Sequence, residues 1–188
     1  MKWIILALCV WTSVGHAAKV EGIDFVEEQT IGTQKYVLNG TGLRVKKKLG
    51  MNFKVYVAAL YVASKSSVAD EIIKSAQPKV LELVFLREVD RETLQDAWKE
   101  GYEKNCLEDC ASTKGQFKAF NDLMVDVRDG SRLKMTFDRT GVSVDMKGTK
   151  NTNAVIDGEA FRRALLSIFI GGTPPTPDLK KGLLGEAK

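Results

Sequence analysis

The apolar positions of this chain switch between two periods. From Phe53 to Val62 almost every position is apolar, β-branched or aromatic, which predicts a central strand covered on both faces. Further strand material is expected over 25–31 and 35–39, interrupted by Gly32, and over 79–86 behind Pro78. Between them Asn39-Gly40-Thr41-Gly42 marks either a turn or a bulge inside a longer strand. Alternation at Leu133, Met135 and Phe137, then Thr140-Gly141, then Val142, Val144 and Met146 predicts a hairpin. Elsewhere the spacing is helical. A short helix is expected over 66–75, and one capped by Asp90 carries Leu94, Ala97, Trp98 and Tyr102 to about Asn105. Residues 116–127 place Phe117, Phe120, Leu123 and Met124 on one face. Residues 157–169 form another helix, closed by Gly171-Gly172, and Thr176 caps a last one with Pro177 at its first position. Strands first, then helices and a hairpin, argue an α+β chain: one largely antiparallel sheet with helices on one face.

The N-terminus follows a different logic. Lys2, an apolar run from Trp3 to Trp11 and a small-residue exit at Gly15-His16-Ala17 have the three parts of a secretory signal. The run is shorter than the roughly 20 residues a bilayer span needs, so a membrane anchor is the weaker alternative. Cleavage is expected after Ala17, with Ala18 as the neighbouring choice, leaving 18–188 as one exported domain. The chain's single histidine, His16, leaves with the signal. A mature chain without imidazole has no Ser-His or Cys-His catalysis and no histidine-assisted zinc site.

Cys9 leaves too, which keeps Cys106 and Cys110. Two cysteines in an oxidising compartment favour a disulfide, with free buried thiols or a redox or metal role as alternatives. A net charge of +4 without a basic stripe interleaved with aromatics does not indicate nucleic acid. The densest basic run, Lys46-Lys47-Lys48, reads as the solvated end of a strand or as a contact for anionic lipid head groups. Nothing indicates a metal, a nucleotide or another cofactor, and no later segment is long and apolar enough to span a membrane.

Several segments carry a resemblance. Leu38-Asn39-Gly40-Thr41-Gly42-Leu43-Arg44, the run from Phe53 to Tyr61, Gly130-Ser131-Arg132-Leu133, the helix from Asp157 to Phe169, and Ile170 to Lys180 with its Thr173-Pro174-Pro175-Thr176-Pro177-Asp178-Leu179 core occur in one order. In that order the chain resembles the chalcone isomerase-like family, and most of all its bacterial, signal-bearing branch. The resemblance implies an open-faced β-sandwich with a helix layer and a cleft between large sheet and helices. It also places the exported domain in the periplasm of a Gram-negative bacterium. The enzymes of the fold close a flavanone ring by attack of a phenolate, which needs a cation and hydroxyls around the developing enolate. Their arginine matches Arg44, and a threonine position falls on Tyr56. Their tyrosine finds no clear counterpart around Val89 to Leu94, and their C-terminal hydroxyl position falls on the apolar Ile168. Asn105-Cys106 resembles an asparagine-cysteine pair of the enzymes.

Arg44 sits in strand-like sequence and must point to one face, where solvent or a structural ion pair would satisfy it. The family's plant plastid branch, associated with fatty-acid binding, resembles this chain in its arginine with a tyrosine nearby. That likeness implies an anionic ligand, since a planar guanidinium suits a carboxylate bidentately. An apolar carboxylate such as a fatty acid would sit on Arg44 and Tyr56 with its tail among Phe85, Trp98, Phe161 and Phe169. Ordinary core packing is the competing role for the last three. Tyr61, an odd number of residues from Tyr56, is expected on the opposite face. Two other functions stay open: a periplasmic partner-binding or assembly protein without ligand, and an intramolecular lyase using Arg44 and Tyr56.

Overall fold

The computed structural model describes residues 17–106 and 110–186. Nine strands and five helices follow one another among the described residues. They are β1 (Ala17–Val20), β2 (Ile23–Val26), β3 (Glu28–Ile31), β4 (Gln34–Lys48), β5 (Met51–Val62), α1 (Ala69–Lys74) and β6 (Lys79–Phe85). Then come α2 (Arg91–Asn105), α3 (Cys110–Asp122), β7 (Arg132–Phe137), β8 (Gly141–Lys147), β9 (Asn151–Asp157), α4 (Glu159–Ile170) and α5 (Pro177–Leu183). Strands β3 to β9 form one antiparallel sheet in chain order, while β1 and β2 pair as a separate hairpin.

The near-continuous apolar run of β5 explains how the layers assemble. Tyr56, Ala58, Leu60 and Val62 point to the helices, with Leu81, Leu83 and Phe85 of β6 and Leu133, Met135 and Phe137 of β7. Val57, Ala59 and Tyr61 point the other way and join Phe25, Tyr36, Leu38, Val80 and Val84 under the β1–β2 hairpin. Tyr61 therefore faces away from Tyr56, as strand alternation requires. Fully burying one such side chain is worth about 1.5–3 kcal/mol, so this strand anchors both cores. The result is a mixed α+β architecture, an open-faced sandwich with helices over the larger face.

Several boundaries differ from the sequence reading, among them α1, which spans Ala69–Lys74 within the expected 66–75. The stretch 25–31 divides at Glu27, because β2 pairs with β1 whereas β3 pairs with β4. The helix expected at 116–127 runs instead from Cys110 to Asp122. Met124 and Val127 are buried from irregular backbone, and Val127 bridges Val89. Their burial mimics a helical stripe. Strand β9 is also additional; its asparagines are poor strand formers, and pairing with β8 supplies the order that propensity does not. Glycine 158 then turns the chain at φ 130°, and α4 starts at Glu159 rather than at Asp157.

The glycine motif is a bulge with a packing purpose. The β4–β5 register slips by one residue between Leu38 and Gly40. A Cβ on Gly40 would lie 2.1 Å from the Gly182 carbonyl, and one on Gly42 would lie 2.5 Å from that of Leu179. Helix α5 thus rests directly on the β4 backbone. Asn39, the extra residue, donates to the Leu183 carbonyl at 2.8 Å and to that of Ser66 at 3.0 Å. Between α2 and α3, Cys106 and Cys110 are joined as a disulfide with Cα atoms 5.2 Å apart. Residues 1–16 of the expected signal lie outside the described residues.

Candidate functional site

A second register slip creates the site. Arg44 pairs with Tyr56, but Val45 pairs with Lys54, so Val55 is the extra residue in β5. Beyond it the strand's parity reverses. Lys46 lies opposite Phe53 and Lys48 opposite Met51, and all four follow Arg44 and Tyr56 on the helix side. Without the slip Phe53 would face the other layer. With it, β4 and β5 form a wall of cations and aromatics.

Helix α2 and the 173–175 loop form the opposing wall. The cleft between them has a volume of about 840 Å³, within the range of small-molecule sites. Arg44, Tyr56, Trp98, Leu94, Val55 and Pro174 are among its lining residues. Gly101 lets α2 approach α4, since a Cβ there would meet the Ile168 side chain at 2.7 Å. Asn105 fastens the loop: its amide donates to the Thr173 carbonyl at 2.8 Å and its Oδ1 accepts from the Thr173 amide at 2.9 Å. Here that asparagine builds a wall, and it is absent from the cleft lining.

The polar centre is incomplete. Tyr56 is only 4% exposed, and its hydroxyl has no hydrogen-bond partner among the described residues. Burial pushes the phenol well above its ordinary pKa, and the Arg44 guanidinium opposes that shift. The group is therefore a neutral O–H donor at any physiological pH. Arg44 is half-buried and spends one hydrogen bond on the Val45 carbonyl, from Nη1 at 2.9 Å. Among the described residues it forms no ion pair, although Glu100 on α2 is close enough to feel its charge. Lys104 holds Glu100 first, at 2.5 Å. Asp90 is occupied as the cap of α2, accepting from the Thr93 amide at 2.7 Å, and Arg87 stacks over Phe53 at 4.8 Å.

The structure thus brings Arg44, Tyr56 and Trp98 together in the cleft lining. Phe85, Phe161 and Phe169 are fully buried and do not line it. Phe85 stands behind Tyr56, ring centres 5.8 Å apart, and Phe169 behind Trp98 at 5.5 Å. Ile168 is likewise buried against α2 and brings no hydroxyl. Phe53, Arg87 and the proline pair were not foreseen as lining; the alternating period conceals Phe53, and the others lie in loops.

The same sheet face carries a second basic region. Lys79 starts the β6 row that ends at Phe85, and it is fully buried. Its ammonium donates to the Ser75 and Gln77 carbonyls at 2.7 and 2.6 Å. Burial lowers its pKa to about 8, assisted by the neighbouring Arg162 charge. Arg162 also donates to the Ser75 carbonyl at 2.7 Å and lies 3.8 Å from the Glu159 carboxylate.

A family model described as chalcone isomerase-like matches residues 17–185. The chain belongs to the chalcone isomerase-like family. The solved structure of a fatty-acid binding protein from Arabidopsis thaliana superposes with a TM-score of 0.70 at 18% identity, covering 90% of this chain and 96% of that one. At that identity the likeness establishes the chalcone isomerase-like fold. No curated protein matches the sequence significantly.

Proposed function

We propose that this chalcone isomerase-like protein binds an apolar carboxylate, such as a fatty acid, and does not catalyse a reaction on it. The observation that carries the reading is the buried Tyr56 hydroxyl, without a partner among the described residues and directly across the strand pair from Arg44. A buried hydroxyl without a partner costs about 1–3 kcal/mol, and a ligand oxygen removes that cost. Arg44 adds charge, and Trp98, Leu94, Val55 and Phe53 offer apolar surface for a chain. The name of the Arabidopsis neighbour is consistent with this ligand class. An isomerase would want further hydroxyls at the reacting oxygen, whereas Ile168 packs against Gly101.

The Met1 to Ala17 segment supports an exported, periplasmic location for the binding domain. Native mass spectrometry of the purified protein, with solvent extraction, tests the ligand. Wild type carries or takes up a fatty acid and Arg44→Ala does not. An empty wild-type protein that ignores added fatty acids rejects the reading.

A further inference from the structure

The turn joining β4 to β5 repeats the left-handed pair of the β1–β2 turn, but with an apolar residue where that turn has Glu21. Lys48 pairs with Met51, leaving a two-residue loop of Leu49 and Gly50, both left-handed at φ 50° and 76°. Turns of this kind favour asparagine, aspartate or glycine in the first position, because a Cβ is strained there. Leucine gains nothing back by burial: it is 88% exposed, and Met51 beside it is 56% exposed. Two apolar side chains therefore project from the tip of the longest hairpin, one from strained backbone.

Their surroundings are basic. Lys46, Lys47 and Lys48 are exposed, and among the described residues none forms an ion pair. Glu100, the acid that feels Lys46, is already held by Lys104. Apolar residues at a tip with free lysines on the flanks match the two layers of a bilayer surface. The lysines meet anionic head groups, while the leucine and methionine reach the acyl boundary. The tip is also continuous with the cleft, since Lys46, Lys48 and Phe53 line it.

We infer that the β4–β5 hairpin tip docks on an anionic lipid bilayer and holds the cleft mouth against it, so that apolar carboxylates pass between membrane and cleft. The docking stands on the tip alone; the passage of ligand rests on the function proposed above.

The test is flotation of the protein, purified after expression of the full-length chain, with phosphatidylcholine vesicles with and without phosphatidylglycerol. Leu49→Asn is the decisive variant, because asparagine suits the turn and should fold at least as well. Wild type is expected to float with anionic vesicles and not with neutral ones, and to be released by salt. Leu49→Asn is expected to partition about tenfold more weakly, with fatty-acid affinity in free solution unchanged. Equal flotation of wild type and variant, or no flotation of wild type on anionic vesicles, overturns the docking. Fatty-acid binding without flotation removes the docking and leaves the cleft reading intact. Flotation without fatty-acid binding does the reverse.

Discussion

Two basic regions occupy opposite ends of one sheet face, roughly 20 Å apart along β5 and β6 at about 3.4 Å per residue. At one end Lys79 is 1% exposed beside a smaller pocket of about 250 Å³, and the chain itself supplies two carbonyls for its three donors. At the other end Arg44 and Tyr56 stand beside open volume, with one backbone carbonyl between them. A buried cation satisfied by its own backbone is a structural element. A cation and a hydroxyl left short of acceptors at a cleft are suited to receive something. The difference is one of access as much as of acceptors. The buried Arg162 beside Lys79 also leaves its Nε without a partner among the described residues, but it lies away from the large cleft that Arg44 and Tyr56 line.

The largest effect expected from breaking this comparison is at Arg44. Arg44→Ala should weaken fatty-acid binding by about 2–4 kcal/mol in calorimetry, while thermal unfolding of the empty protein barely moves. A large stability loss without an affinity loss would make Arg44 a structural residue like Lys79. At the Lys79 end the expectation reverses: Lys79→Met should leave affinity unchanged and alter the pH dependence of stability. The native pKa of about 8 lies below the ordinary 10.5, so the unfolded chain binds more protons between those values. Stability from this group therefore rises as pH increases from about 8 to 10.5, by about 1–3 kcal/mol, and Lys79→Met should lack that rise in denaturant titrations.

Smaller effects sharpen the same contrast. Tyr56→Phe removes a hydroxyl that nothing among the described residues satisfies, so stability should stay level or rise slightly. Affinity should fall by about 0.5–1.5 kcal/mol. A stability loss larger than that would mean the hydroxyl is satisfied in the free protein. Least of all should affinity respond to reducing the Cys106–Cys110 bond. Its loop is very short, so thermal unfolding should reveal about 2 kcal/mol or less, with affinity untouched. Non-reducing mass analysis that found two freely alkylated thiols would remove the bond.

Much of the fold was legible because its strongest signals are local. The run of β5, the Asp90 and Thr176 caps and the 133–146 hairpin each declare themselves within a few residues. Arg44 and Tyr56 were paired through family resemblance, and the strand register places them opposite each other. What escaped the sequence is non-local. Nothing near Val55 announces that its strand changes parity, because the extra residue is defined only by its partner strand. Phe85, Phe161 and Phe169 look like Trp98 in composition. Only the packing of α2 and α4 decides which ring reaches the cleft and which stands behind it. Strand β9 depends wholly on β8.

The extra residue at Val55 has a consequence for lineages rather than for energies. A homologue that lacked it could not simply shorten its hairpin; inward and outward residues of the outer β4–β5 segment would have to trade places together. Inherited changes in this hairpin are therefore coupled by parity: position 53 should drift with 46 and position 56 with 44, as two separate pairs. A single-residue deletion here would act as a frameshift in space, turning Phe53 out of the cleft without altering any of its neighbours' identities.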